Sequence, residues 1–410
     1  MPEFLELLPP LEALDKLLTN YSPKFELESV LTDNSSGRII GEPVIASYPL
    51  PSFPRTTVDG YAVIASNTHG ASESLPAYLT HIGEVPMGDV PNFEIAANQC
   101  ATIHTGGMLP KGADASVMIE NTQRVGDGEI EILRAVAKGE NVLQIGEDVS
   151  EGQEVILKGK KLRPAEIGGL MALGITKIKV ALKPLVGIIS SGDEVVEPQD
   201  NMNPGQVRDV NSYSLKALVE AAGGIAKNYG IVSDTLESMR LTANLALEEC
   251  DLVIITAGSS ASTRDLTAQV IDELGEPGVL VHGVNVRPGK PTILGICDGK
   301  PMIGLPGNPV SALVIAGLFV VPLIEKMTGQ LPGRPKPSVP ARLNLNLSSQ
   351  AGREDWIAVK LIETKEGFLA DPIFGRSNLI FTLASADGLI RIPPDANGLE
   401  IGAIVNVRLL

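Results

Sequence analysis

The chain has 410 residues, 44% hydrophobic and 20% charged, so several folded units are expected, because a single core rarely grows beyond about 300 residues. The net charge of -16, from 49 acidic and 33 basic side chains, disfavours nucleic-acid and anionic-membrane partners, since like charges repel. The three cysteines and four histidines show no paired zinc spacing and favour a cytoplasmic location.

The first elements predict two units, one of which interrupts the other. A helix is expected at residues 10–18 and a strand at residues 38–46, followed by a proline-rich stretch. Short strands separated by turns then run to about residue 148, and a further helix begins at Pro164 and closes at Gly174. We therefore predict an N-terminal linker and dimerisation domain of residues 1–47 and 149–180, with a β-rich domain inserted at residues 48–148.

Residues 181–330 show the clearest pattern, because apolar strands alternate with amphipathic helices. Strands so apolar are buried on both faces, which predicts a doubly wound, largely parallel α/β sheet with ligands beyond its carboxyl edge. The run from Val310 to Ile324 is too short to span a bilayer and contains Pro322, so a buried helix is expected. After a proline-rich linker, the alternating residues 337–410 predict a small β-barrel. The predicted fold class is multidomain α/β plus β.

The segment from Thr256 to Asp265 lies between a predicted strand and a predicted helix. Its small residues would let main-chain N–H groups approach a phosphate or oxyanion at a helix N-terminus. A tight turn with a serine cap is the structural alternative.

Two further loops follow strands in the same unit. Arg287-Pro288-Gly289-Lys290-Pro291 places two cations on a rigid turn, and Pro291 excludes a P-loop helix, so Lys290 is predicted to contact phosphate. For the motif taken alone, a purely structural turn is the alternative. Leu305-Pro306-Gly307-Asn308-Pro309 opens the last helix, and capping by Asn308 is the structural alternative.

Acidic residues occupy several predicted loops. Carboxylates near an anion are most useful when Mg2+ bridges them to phosphate, a role open to Asp59, Asp148, Glu194, Asp234 and Asp265, of which Glu194, Asp234 and Asp265 are the predicted metal ligands. For Asp234, a capping box with Glu237 is the alternative. Asp59, before Gly60 and Tyr61, fits no such structural motif.

Taken in order, the motifs resemble those of the molybdopterin molybdenumtransferases, the family of MoeA and the gephyrin E domain, over nearly the full chain. The motifs are Val58-Asp59-Gly60-Tyr61-Ala62, His104-Thr105-Gly106-Gly107, Gly112-Ala113-Asp114, Gly146-Glu147-Asp148, Ser191-Gly192-Asp193-Glu194, Arg208-Asp209-Val210-Asn211-Ser212, Pro288-Gly289-Lys290-Pro291, Leu305-Pro306-Gly307-Asn308-Pro309 and Ala386-Asp387-Gly388-Leu389. The resemblance implies a four-domain homodimer that inserts molybdate into adenylylated molybdopterin and releases AMP, with Mg2+ present. It also allows transient contact with the molybdopterin adenylyltransferase.

By the same resemblance, the active site combines two subunits. Asp59, Thr105 and Asp148 of one subunit would face Glu194 and Asp234 of the other, and these five are the expected catalytic residues. The expected cofactor-binding residues are Gly258, Ser260, Ser262, Asp265, Arg287, Lys290, Pro306, Asn308 and Ser377.

Some positions depart from the family pattern. Ala257 and Ser262 replace two glycines, Ala268 replaces a lysine, Leu143 replaces an arginine, and Asn378 replaces a glycine after Ser377. Because each lost charge-assisted hydrogen bond is worth about 1.5–3 kcal/mol, a second hypothesis stays open. It is a paralogue that binds or carries the molybdenum cofactor without inserting metal.

Overall fold

The computed structural model describes residues 7–126, 128–257, 261–332 and 336–410, and for residues 261–265 the backbone alone. Up to residue 181, short strands outnumber helices. In chain order these elements are α1 Pro10–Thr19, β1 Leu27–Leu31, β2 Val44–Ile45, β3 Arg55–Thr56, β4 Gly60–Val63, β5 Ala77–Glu84, β6 Gln99–Ile103, β7 Ala115–Met118, β8 Thr122–Val125, β9 Glu129–Ile132, β10 Val142–Leu143, β11 Glu154–Ile156, α2 Pro164–Ala172 and β12 Lys177–Ala181.

Strand pairing shows why the middle of this region is an insertion. β1 pairs with β12 and β2 with β11, so residues far apart in the chain form one unit. Between them lies a six-stranded sheet of order β7-β4-β6-β5-β9-β8. Its core contains Leu79, Val117 and Ile130.

Helix α1 packs against a different part of the chain from its neighbours in sequence. Ala13 and Leu17 are fully buried in the core of the α/β unit described next, whereas Leu11 is 68% exposed. Lys16 Nζ also donates a hydrogen bond to the Leu280 carbonyl at 2.8 Å. Helix α1 therefore packs with the α/β unit, unlike the rest of residues 1–47, which we predicted to form one domain with residues 149–180.

The α/β unit follows. Its elements are β13 Leu185–Ser191, β14 Val195–Val196, β15 Val207–Arg208, α3 Asn211–Ala222, β16 Ile225–Val232, α4 Leu236–Glu249, β17 Leu252–Ala257, α5 Ala261–Glu273, β18 Pro277–His282, β19 Val286–Arg287, β20 Ile293–Cys297, β21 Lys300–Pro306 and α6 Pro309–Met327.

Its central sheet has the order β16-β13-β17-β21-β20-β18. The first four strands are parallel, while β18 and β20 run antiparallel to their neighbours. Helices α3 and α6 cover one face together with α1, and α4 and α5 cover the other. The chain leaves β13 towards β16 and then returns to β17 on the opposite side, so a ligand crevice is expected between the carboxyl ends of β13 and β17.

Helix α6 is the core helix of this unit. Among the described residues, α6 is the one helix that is long and apolar enough to cross a membrane. Its residues Ile315, Phe319 and Leu323 are nevertheless fully buried against the sheet. The predicted buried helix is confirmed. Pro322 does not interrupt it, since the helix continues to Met327.

The chain ends in a small closed barrel. Its elements are β22 Ser338–Leu343, β23 Leu347–Ser348, β24 Glu354–Thr364, β25 Gly367–Pro372, α7 Phe381–Ala384, β26 Gly388–Ile392, β27 Gly398–Leu399 and β28 Ile404–Leu409. The order β24-β25-β22-β28-β26 closes because β26 also pairs with β24, which gives a barrel of five strands. The predicted fold class, with a doubly wound α/β domain, a β-rich inserted domain and a C-terminal barrel, is confirmed.

The barrel is attached to the α/β unit at three points. β19 pairs with β24 in parallel, and Ala358 and Leu389 pack against Val314 of α6. Arg408 Nη2 of β28 donates a hydrogen bond to the Gly317 carbonyl of α6 at 3.5 Å, and burial lowers the pKa of this guanidinium. These contacts fix the space between the two units, where a cleft opens.

Candidate functional site

A cavity of about 1070 Å³ lies between the α/β unit and the barrel. One wall is the turn after β19 together with the start of α6, and the other is β24 with the barrel segment of residues 373–378. Five of the predicted binding residues line this cleft: Arg287, Lys290, Pro306, Asn308 and Ser377.

The cationic turn after β19 is held rigidly against α6. Gly289 is buried with φ +114°, and a Cβ at this position would lie 2.2 Å from Ile315 Cγ1. Thr292 Oγ1 donates to the Gly289 carbonyl at 2.6 Å, and Val284 N–H donates to the Lys290 carbonyl at 2.9 Å. Only glycine fits this close approach with a positive φ. The turn therefore presents Arg287 and Lys290 on a fixed backbone.

The start of α6 is not capped by its own residue. Asn308 occupies the N-cap position, but its side chain makes no capping hydrogen bond. Instead, the Val310 N–H donates to the Ser377 carbonyl at 3.0 Å, so the barrel caps the helix. Asn211 Nδ2 donates to the Gly307 carbonyl at 2.8 Å and steadies the preceding turn. The capping interpretation of Asn308 is thus wrong, and this residue lines the cleft.

Positive charge exceeds negative charge in the lining of this cleft. Its charged residues are Arg287, Lys290, Arg353 and Arg376 against Asp355. Arg353 binds the buried Asp355 carboxylate through two hydrogen bonds of 2.6 and 2.9 Å, whereas Lys290 and Arg376 are exposed and form no ion pair within the described residues. In a protein of net charge -16, this cleft is a local site for anions.

The two barrel arginines, Arg353 and Arg376, were not predicted. Arg376 precedes the predicted Ser377 directly, and a cation next to a predicted phosphate contact was a signal that could have identified it. Arg353 has no such signal, because its place in the cleft follows from the docking of the barrel on α6.

A second group of polar residues lies at the carboxyl ends of β13 and β16. Ser191 is buried and its hydroxyl donates to Asp234 Oδ1, while the Asp234 N–H donates to Asp193 Oδ1 at 3.2 Å. Helix α4 is capped by Thr235, whose Oγ1 accepts from the Ser238 N–H at 3.3 Å. The capping-box interpretation of Asp234 is therefore wrong, and its carboxylate faces the strand ends instead.

The predicted anion loop follows β17. Gly258 and Ser260 lie outside the described residues, as do the side chains of Ser262 and Asp265. The flanking elements are as expected, since β17 ends at Ala257 and α5 begins at Ala261. Thr256, at the end of the strand, is buried beside Ser190.

The described carboxylates suit a magnesium ion only together with a substrate. Within the described part of the chain no three His, Cys, Asp or Glu side chains converge on one point. Mg2+ is commonly held by one or two carboxylates, with phosphate oxygens and water completing its shell. Glu194, in the loop after β13, and Asp234 supply oxygens of this class, so these residues fit Mg2+ that arrives with a phosphate.

The β-rich unit brings two of its three predicted residues together. Asp59 Oδ1 accepts from the Thr105 N–H at 2.8 Å, and Asp59 is exposed. Asp148 lies on another exposed loop, where its N–H donates to the Leu50 carbonyl at 3.0 Å. The described hydrogen bonds do not join Asp148 to the other two, and no described strand of this sheet pairs with the α/β sheet.

Comparison with known proteins assigns the family. Three family models match in order: the MoeA N-terminal region (domain I and II) at residues 8–174, a probable molybdopterin binding domain at residues 187–326, and the MoeA C-terminal region (domain IV) at residues 340–410. A molybdopterin molybdenumtransferase of Bacillus subtilis is 31% identical over 407 residues, 98% of this chain and 94% of that protein. The chain belongs to the MoeA family. The predicted resemblance is confirmed.

Two archaeal proteins extend the match for this MoeA chain. A putative molybdopterin biosynthesis protein of Methanocaldococcus jannaschii is 40% identical over 384 residues, 91% of this chain and 89% of the relative. The crystal structure of a molybdopterin biosynthesis MoeA protein from Pyrococcus horikoshii superposes with a TM-score of 0.86 at 34% identity, covering 99% of this chain and all of that one.

The structure also places the residues at which this MoeA chain departs from the family pattern. Leu143 pairs across the strands with Arg55, which is exposed. Side chains of such a pair share one face of the sheet. Arg55 therefore offers a cation close to the position where an arginine is expected. Ala268 lies on α5 and packs against the hydrophobic core that α4 and α5 form with the sheet.

Proposed function

We propose that this protein inserts molybdate into adenylylated molybdopterin and releases AMP. Its membership of the MoeA family identifies it as a transferase of molybdenum cofactor biosynthesis. The observation that carries the proposal is the cationic cleft, in which Lys290 and Arg376 remain unpaired among the described residues. Cations on a fixed backbone suit a doubly charged phosphate or oxyanion.

The site residues would have different roles in binding the substrate. Lys290, Arg287 and the Asn308 amide bind phosphate and oxyanion oxygens, and Ser377 lies on the opposite wall. The carboxylates of Glu194 and Asp234, with Asp265, would hold Mg2+, which when bound offsets phosphate charge. One water is consumed in cleaving the phosphoanhydride and completes the released AMP and the molybdopterin phosphate, and one molybdate oxygen leaves as water with the two thiol protons when the dithiolene sulfurs bind the metal.

The β-rich residues would complete the site from a second subunit. Asp59 and Thr105 are exposed, and their described contacts stay within their own sheet, which supports a partner surface facing them. We propose a homodimer in which Asp59, Thr105 and Asp148 approach the cleft of the other chain. Transient contact with the adenylyltransferase would supply the substrate, and three free, buried cysteines agree with a cytoplasmic location.

Turnover with defined substrates tests this function. The purified protein is incubated with adenylyl-molybdopterin, Mg2+ and molybdate, and AMP is measured with and without molybdate. We expect AMP in proportion to metal inserted, and the release should fall on the order of tenfold or more in Lys290→Ala, because a charged contact is lost. Intact substrate after incubation would refute the proposal, provided that another MoeA family member turns over in parallel.

The carrier hypothesis predicts a different result. It is motivated by Ala268 and Leu143, which remove two cations, whereas Arg55 opposite Leu143 favours retained activity. Calorimetry distinguishes the two, since a carrier would bind molybdopterin tightly without any dependence on molybdate and would release no AMP.

A further inference from the structure

His104 lies between two carboxylates at the ends of three neighbouring strands in the β-rich sheet. β4 and β6 are antiparallel with Gly60 opposite Ile103, so Asp59 and His104 flank that pair at the ends of their strands. Glu84 ends β5, which pairs with β6 at Thr102. The pairing of these three strands thus brings the side chains of Asp59, Glu84 and His104 together.

The two ring nitrogens of His104 face different partners. Nε2 is 2.9 Å from Glu84 Oε1, and Nδ1 is 3.7 Å from Asp59 Oδ1. The same Asp59 oxygen accepts the Thr105 N–H at 2.8 Å. Because the nitrogens point to opposite sides of the ring, the group does not converge on a metal, in agreement with the lack of a metal cluster among the described residues.

The protonation state of the ring decides how many carboxylates it can satisfy. A neutral imidazole has one N–H and one lone pair, whereas the imidazolium donates from both nitrogens. With both protons in place, His104 can donate to Glu84 while its second N–H group carries positive charge to within 3.7 Å of Asp59 Oδ1. With one proton missing, one carboxylate faces a lone pair and is free to turn away.

We propose that His104 is a positioning residue for Asp59, and that its charged form orients the Asp59 carboxylate and offsets its charge when an anionic phosphate or oxyanion approaches. This inference rests on the proposed function, in which Asp59 faces the substrate. The adjoining elements carry further titratable or charged residues, namely Arg55 on β3, Tyr61 on β4, and Tyr78 and His81 on β5. His81 Nε2 is paired with Thr102 Oγ1 at 2.8 Å, and Arg55 lies opposite Leu143.

Kinetics on paired variants test the positioning role. His104→Leu removes both donors, His104→Gln keeps one donor that cannot titrate, and His81→Gln is the matched control in the same sheet. We expect His104→Leu to lower kcat for AMP release on the order of tenfold, with KM for adenylyl-molybdopterin nearly unchanged. His104→Gln should recover part of kcat, because it keeps a side-chain N–H donor.

A double-mutant cycle separates positioning from a structural role. In an Asp59→Asn background, His104→Leu should add little further loss. Full additivity, or a loss no larger than in His81→Gln, would overturn the proposal.

A spectroscopic measurement keeps the inference distinct from the proposed function. Ring NMR signals of His104 should move in Asp59→Asn and in Glu84→Gln, but not in Glu94→Gln, a surface carboxylate of the same unit paired with Lys111. If the wild type releases no AMP while these signals move, the proposed function fails and the coupling of His104 to Asp59 stands. If the signals stay in place, the coupling itself is refuted.

Discussion

Replacing Gly289 by alanine tests whether the turn that carries Arg287 and Lys290 is built against α6. The added Cβ would lie 2.2 Å from Ile315 Cγ1 and 2.4 Å from Cδ1, at a backbone φ of +114°. The conformation alone costs a non-glycine residue about 1–3 kcal/mol, and overpacking adds about 1–3 kcal/mol. We therefore expect a total loss of roughly 2–6 kcal/mol in unfolding free energy, measured by chemical denaturation.

Gly299→Ala is the matched control. Its φ is +84° and no atom lies within 4 Å of the added Cβ, so it carries only the conformational part. Binding of inorganic phosphate, measured by calorimetry, should weaken on the order of tenfold in Gly289→Ala and remain unchanged in Gly299→Ala. Equal effects of the two substitutions on stability and on phosphate binding would refute the idea that the turn depends on its contact with α6.

Three further outcomes are expected. Asn308→Ala should weaken phosphate binding but lower stability by less than Thr235→Ala, which removes a helix cap worth about 0.5–2 kcal/mol. Thermal melts and calorimetry on both variants check this. A larger loss of stability in Asn308→Ala would contradict it. Lys290→Ala should reduce the salt dependence of phosphate binding, because one phosphate-facing cation is lost; an unchanged salt slope would argue against contact. The hydrogen bond from Arg163 lowers the pKa of the Glu166 carboxyl, so the stabilisation from this carboxylate is present above the unfolded pKa of about 4.3 and is lost as pH falls through the folded pKa. Thermal melts from neutral to acidic pH should therefore show a smaller acid-induced loss of stability in Glu166→Gln than in the wild type. Parallel curves for the two proteins would refute this.

Apolar runs predicted most of the α/β unit, because a strand buried on both faces has few polar residues at any position. Strand β21 was missed, although its signal is present. Asp298 and Gly299 have φ of +48° and +84° and join β20 to β21, with Cys297 opposite Lys300. An Asp-Gly pair between apolar runs is typical of a two-residue hairpin. Recognising it would also have predicted the antiparallel edge of the sheet.

The site was predictable where its residues follow strands of one unit, and less so where two units meet. Arg287, Lys290 and Asn308 belong to loops at a common edge, and their place in one cleft follows from the fold class. Arg353 enters the cleft only because the barrel docks on α6 through Val314 and its neighbours. Such docking depends on the shapes of two packed surfaces, which no local pattern in the sequence describes.

Subunit complementation tests most directly whether the active site combines two chains. Asp59→Asn and Lys290→Ala, each expected to release AMP at about a tenth of the wild-type rate or less when alone, are mixed under conditions that exchange subunits, and AMP release is measured. Each mixed dimer would contain one site with both native residues, so random exchange should restore about a quarter of wild-type activity. Activity that stays at the level of the separate variants, with exchange shown by differently tagged chains, would contradict a site shared between subunits.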